Sequence, residues 1–193
     1  MPLVQYSPRV TISYPDDWPS YRKQVIEDKN RFLKALRLPE IQQEDKLFTT
    51  DELEGLVCDT SGTLLDYEPI PGIEVLLKAL REKAGFKKIK VASGGSDPIR
   101  IIERALGKTD LVDNFVYVEG SKRNYAATNN FTFVLEDDDA NENTPYLLSA
   151  ITPYRQVWNM GRYTYVHPRE YDEELVNDIA GAFSSIKTEL EKL

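Results

Sequence analysis

Apolar positions along this chain change their period several times, and each change marks an element. Over Ile73–Lys83, Ile73, Leu76, Leu77 and Leu80 recur at helical spacing, preceded by Pro71-Gly72 and closed by Gly85. Short apolar runs at Gly55–Cys58, Ile89–Ala92, Phe115–Val118, Phe131–Leu135 and Tyr163–Val166 predict buried strands. Further helices are expected over Pro98–Ala105, Tyr146–Val157 and Glu170–Leu190. Strands alternating with helices predict an α/β domain over residues 52–193. Its expected form is a Rossmann-like three-layer sandwich with a central, mostly parallel sheet.

The first fifty residues read differently. Pro2, Pro8, Pro15 and Pro19 punctuate a stretch dotted with Tyr6, Tyr14 and Trp18 that reads as extended or looped. From Ser20 to Leu38, Tyr21, Val25, Phe32, Leu33 and Leu36 fall near helical spacing, and Pro39 stops the run. Residues 1–51 are therefore expected to form an N-terminal extension, partly helical, that packs on the main domain.

Composition narrows the chemistry. The 193 residues include 24 Lys or Arg against 32 Asp or Glu, so 24 − 32 gives a net charge of −8, with one His and one Cys. A structural zinc site of four Cys or His ligands is excluded, as is an intramolecular disulfide. Nucleic-acid binding through a broad basic face is disfavoured. No run of about 18 apolar residues predicts a membrane span, and the start of the chain lacks a signal pattern, so a cytoplasmic setting is expected. Carboxylates are the available agents. Cys58 reads as buried filler within its strand, and His167, before Pro168, as a surface or capping residue.

In parallel sheets, functional residues stand just beyond the carboxyl ends of the strands. Those places hold Asp59-Thr60-Ser61-Gly62-Thr63, Ser93-Gly94-Gly95-Ser96 and Glu136-Asp137-Asp138-Asp139. Each segment alone also reads as an ordinary turn, helix cap or solvated acidic loop. Their succession at three strand ends outlines a site for phosphate and a divalent cation.

The segment Val57-Cys58-Asp59-Thr60-Ser61-Gly62-Thr63-Leu64-Leu65 resembles the first motif of the haloacid dehalogenase superfamily, Asp-x-Asp-Gly-Thr-Leu. Lys90-Val91-Ala92-Ser93-Gly94 is similar to its second motif, and Phe133-Val134-Leu135-Glu136-Asp137-Asp138 to its fourth. The resemblance spans roughly residues 53–166. It implies that Asp59 is a nucleophile that becomes an aspartyl-phosphate. It also implies Mg²⁺ held by Asp59, the Ser61 backbone carbonyl, and Asp137 or Asp138. Ser93 and the Gly94 amide would hold phosphoryl oxygens, and a lysine would neutralise the remaining charge. Lys122 and Arg123 lie near the place for that lysine, and Lys122 is favoured, although Lys122 to Phe131 leaves little room for the helix that normally carries it.

One departure stands out. The second Asp of the motif, a general acid and base in most phosphatases of the family, is Ser61 here. Ser61 is compatible with metal binding and phosphoryl capture but not with efficient proton transfer, so slow turnover is expected. A catalytically degenerate module of the same fold, binding or regulating without turnover, is the alternative. A phosphoaspartate receiver is disfavoured by its motif context. No insertion is long enough for a cap domain. An open site suits a phosphorylated small molecule or a phosphate displayed on a macromolecule, a nucleic acid only through a phosphorylated end. Shielding could come from the N-terminal extension or from another subunit of a homo-oligomer.

Overall fold

The computed structural model describes residues 3–120, 122–137, 148–151, 155–159, 162–166 and 170–193. In chain order the elements begin with strands β1 (Leu3–Ser7) and β2 (Val10–Ser13) and helices α1 (Trp18–Ala35) and α2 (Thr50–Leu53). Then follow β3 (Gly55–Asp59), the short strands β4 (Leu65–Asp66) and β5 (Glu68–Pro69), and α3 (Ile73–Glu82). Next come β6 (Lys88–Ser93), α4 (Ser96–Leu106), β7 (Asn114–Tyr117), α5 (Lys122–Thr128) and β8 (Phe133–Glu136). The chain closes with β9 (Leu148–Ile151), β10 (Arg155–Asn159), β11 (Arg162–Val166) and α6 (Glu173–Leu190).

The main sheet has seven strands in the order β1-β2-β9-β8-β3-β6-β7. The run from β9 to β7 is parallel throughout. β3 lies within this run and all five of its residues are buried, as expected of a strand covered on both faces. Its side chains alternate between two cores. Leu56 and Cys58 join the larger core with Ile89, Val91, Phe133 and Leu135 and residues of α3, α4 and α6. Val57 joins Ala92, Val134, Phe131 and Ala126 of α5 on the other face. This is an α/β fold with helices on both sides of a sheet whose central strands are parallel.

Three rings lock the larger core. Phe86, just after α3, meets Phe133 of β8 and Phe183 of α6 edge-on, with centroids 5.5 and 5.2 Å apart, and Phe133 meets Phe183 at 5.9 Å. Cys58 is buried in its strand, as its apolar neighbours predict, and burial pushes its thiol well above the ordinary range.

Residues 3–51 are woven into the same body. β2 pairs antiparallel with β9 and so extends the sheet. Tyr21, Val25 and Ile26 of α1, with Leu47 and Phe48, lie in the larger core. Arg9 donates to both carboxylate oxygens of Asp172 at 2.8 and 2.6 Å. Asp172 also caps α6 by accepting from the Leu175 amide, and these bonds hold its carboxyl below the usual range.

Two expectations need correction. The helix over Tyr146–Val157 is not formed, because Leu148–Ile151 and Arg155–Asn159 are strands; residues 146, 147 and 152–154 lie outside the described set. β-Branched and aromatic residues such as Ile151, Val157 and Trp158 suit a pleated strand, and Pro153 removes a helical donor. Tyr163–Val166 does form a strand, but it pairs with β10 in a separate antiparallel ribbon rather than joining the parallel sheet. No helix among the described residues is long and apolar enough to cross a membrane.

Candidate active site

Three of the parallel strands end on a polar residue that the sequence singles out. Asp59 closes β3, Ser93 closes β6 and Glu136 closes β8. Buried apolar residues precede each one and fix its strand. The next residue then leaves the sheet, which places the polar group at the rim rather than in the core.

Asp59 is 3% exposed and two donors converge on its Oδ1. The Thr60 amide donates at 2.6 Å and the Lys122 ammonium at 2.8 Å. Lys122 is the first residue of α5. The span from Lys122 to Phe131, which leaves little room for a helix, does hold one: a seven-residue helix fits and brings this lysine to the Asp59 carboxylate. Ala126 anchors that helix to the smaller core, and Asn130, with φ of +60°, turns the chain beyond its end.

The electrostatics of the pair are unequal. Burial pushes the Asp59 carboxyl above its ordinary pKa, and Lys122, the Thr60 amide and a hydrogen bond with the Asp137 side chain only partly offset it. For Lys122, burial works in the opposite direction, toward a lower pKa. Attraction to Asp59, then to Asp137 and Glu136, outweighs that, and the ammonium is held above its ordinary value. The difference follows depth, since the two side chains are 4% and 30% exposed. The result is a desolvated carboxylate beside a permanent cation, with Asp137 within hydrogen-bonding reach.

The loop after Asp59 is wound tightly. The Thr60 carbonyl accepts from the amides of Thr63, Leu64 and Leu65 at 3.2, 2.8 and 2.9 Å. Gly62, with φ of +78°, lets its own amide reach back to the Leu65 carbonyl at 2.7 Å. Ser61 stands exposed on this turn and bridges to Leu65. The hydroxyls of Thr60 and Thr63 are buried with no hydrogen-bond partner among the described residues. Thr60 carried no signal in the sequence, since a small polar residue beside a turn is commonplace.

The loop is also strapped from outside. The Tyr171 hydroxyl donates to the Thr63 carbonyl, and the Tyr171 amide donates to the Pro71 carbonyl at 2.8 Å. Gly72, with φ of +86°, permits this approach, because a Cβ there would stand 2.5 Å from the Tyr171 carbonyl oxygen. Replacing Tyr171 by Phe leaves the buried Thr63 carbonyl without this donor, at an expected cost of about 1–2 kcal/mol. Thermal unfolding should register this as a Tm lower by roughly 3–6 °C for a domain of this size.

Ser93 is buried, and its hydroxyl oxygen accepts from the Gly95 amide at 3.2 Å, which leaves the hydroxyl proton to donate elsewhere. Gly94 is exposed at the bend beyond it. The structure thus brings together Asp59, Lys122 and Asp137, sets Ser61 on the turn directly after Asp59, and places Ser93 and Gly94 at the end of the adjoining strand. Asp138 and His167 lie outside the described residues. Among the described residues, no group of three or more Cys, His, Asp or Glu is placed to hold a metal. Glu136, buried at the end of β8, adds its charge to the field on Lys122.

No family model, curated protein or solved structure matches this chain. The functional reading therefore stands on the site's own residues.

Proposed function

We propose that the protein acts on a phosphomonoester through Asp59 with Mg²⁺, as a capless phosphohydrolase or phosphotransferase of haloacid dehalogenase type. The observation that carries this reading is the pair of buried Asp59 and half-buried Lys122 at the end of β3, with Asp137 in hydrogen-bonding reach. Two carboxyl groups that close together favour a shared proton or a cation between them. A hard divalent ion that takes oxygen ligands and keeps several waters fits such a donor set, with Asp59, Asp137 and the Ser61 carbonyl as its protein ligands. When bound, the ion offsets the repulsion between a carboxylate and a phosphoryl group.

The chain's own residues supply the rest. An Asp59 oxygen forms a bond to phosphorus as the bond to the leaving oxygen breaks, leaving an aspartyl-phosphate and a released oxyanion. Lys122 balances the added negative charge. The Ser93 hydroxyl and Gly94 amide donate to phosphoryl oxygens. Ser61 has no proton to give near neutral pH, so the leaving oxygen takes one from water. Hydrolysis of the acyl-phosphate is slow for the same reason, and the intermediate accumulates.

That accumulation provides the test. Incubation with a phosphomonoester and Mg²⁺, followed by acid quench, is expected to leave one phosphoryl group on the peptide that contains Asp59, removable by hydroxylamine. An unlabelled peptide under these conditions would leave the second reading, a binding module that no longer turns over. The exposed Ser61, in place of an acid, is the feature that favours it.

A further inference from the structure

The strands β4 and β5 pair Leu65 with Pro69 and Asp66 with Glu68, so Tyr67 is the single residue at the tip of their hairpin. Its φ is +58°, in the left-handed region that bulky residues rarely adopt. Its side chain is 93% exposed. Glycine or asparagine would make this turn with less strain, and no packing explains a tyrosine there. Such an outlier points to a role outside the fold.

The hairpin's location says what that role is. Leu65 belongs to both the hairpin and the Asp59 loop, through its bridge to Ser61 and its bond from the Gly62 amide. On its other strand, β5 packs against α4, the helix that leaves the Ser93–Gly95 bend. Tyr67 therefore stands on a hairpin that is joined to the turn after Asp59 and packed on the helix that follows Ser93. A second large apolar surface, Tyr117, is 56% exposed at the end of β7, and its register partner is Ser93. Two exposed tyrosines thus belong to elements that adjoin the Asp59 and Ser93 strand ends, Tyr67 on the hairpin that shares Leu65 with the Asp59 loop and Tyr117 opposite Ser93.

Ser61 contributes an independent chemical constraint. Without a general acid, the leaving oxygen departs as an anion. A phenol ionises near pH 10, whereas an aliphatic alcohol is about as weak an acid as water, so only an aryl oxide leaves readily unaided. The exposed acids Asp66 and Glu68 beside the tip disfavour leaving groups that carry a further negative charge of their own.

We infer that the site is built for aryl phosphomonoesters, with Tyr67 as the specificity-determining residue that takes the leaving group's ring against its own. This inference rests on the Asp59 reading above for its phosphoryl site. Free aryl phosphates and phosphotyrosine side chains share the recognised chemistry.

The test compares phenyl phosphate, a phosphotyrosine peptide and glycerol phosphate with Mg²⁺, for the wild type and for Tyr67→Phe, Tyr67→Ala and Tyr67→Gly. At least one aryl substrate should exceed glycerol phosphate in kcat/KM; the better of the two identifies the source. Tyr67→Ala and Tyr67→Gly should lower the aryl-to-alkyl ratio about 3- to 10-fold, the range of one ring contact, while Tyr67→Phe keeps it. Glycine accepts the left-handed backbone without strain, so its loss of preference would not reflect misfolding. Calorimetric titration with phenylphosphonate and methylphosphonate separates the two readings. If no substrate turns over but the phenyl compound binds more tightly and Tyr67→Ala removes that preference, the hydrolytic reading fails and this inference stands. Equal binding of the two phosphonates, no binding of phenylphosphonate, or an unchanged ratio in Tyr67→Ala would overturn it.

Discussion

Asp59→Asn is expected to reduce Mg²⁺-dependent phosphate release to the uncatalysed background, a loss on the order of 10³-fold or more. A carboxamide is not a nucleophile at any accessible pH, so the covalent route is closed rather than slowed. The comparison is informative because the two side chains have nearly the same shape. Asn still accepts from the Thr60 amide, which donates to Asp59 at 2.6 Å. Lys122 loses its closest partner, yet it is 30% exposed and remains under the attraction of Asp137 and Glu136, so the helix that carries it should hold. Folding can be checked on the same samples. Burial raises the Asp59 pKa, so the folded protein binds a proton there that the unfolded chain has already released. Stability from this group is therefore present below the ordinary aspartate range and is lost as pH rises through the elevated folded value. The Asn variant lacks that loss. Its stability relative to wild type should increase with pH across that interval in urea titrations. Equal phosphate release by a folded Asn variant and the wild type would remove Asp59 from the chemistry.

The parts of this site that are legible in the sequence are those fixed by local pattern. β3, β6 and β8 are short apolar runs that end on Asp59, Ser93 and Glu136, and the parallel sheet brings such ends to one rim. The helix stripe of Ile73, Leu76, Leu77 and Leu80 is buried as its spacing predicts. What local pattern does not reveal is set by partners distant in sequence. α5 has seven residues, too few for periodicity to identify, and it is held by Ala126 in the smaller core and by the Lys122–Asp59 pair. β1 and β2 look like a loose extension until β9 supplies an edge for β2, which in turn pairs with β1. The Tyr171 hydroxyl reaches a carbonyl 108 residues away. β9 and β10 are read as helix because apolar residues at mixed spacing serve either period, and the pairing partner decides.

Ser61→Asp carries the largest expected gain. Ser61 is two residues beyond Asp59, exposed, on a turn held by the Thr60 carbonyl and the Gly62 conformation. A carboxyl group there reaches solvent, so it retains a near-ordinary capacity to exchange protons and needs no rearrangement of the buried residues. General acid and base assistance is worth about 10²–10⁴-fold, equivalent to roughly 3–5 kcal/mol of barrier. Steady-state turnover of an alkyl phosphate should rise by a factor in that range. Phenyl phosphate should gain less in its first step, because phenolate departs with little help. Its gain would come from faster hydrolysis of the acyl-phosphate, and the trapped phosphoryl label on Asp59 should shrink correspondingly. The new charge joins Asp59 and Asp137, so the gain should require Mg²⁺ to offset the repulsion. Phosphate release that stays at background in Ser61→Asp, with the fold intact, would mean that the remaining residues do not form a catalytic set. The Asp59–Lys122 pair would then serve binding alone.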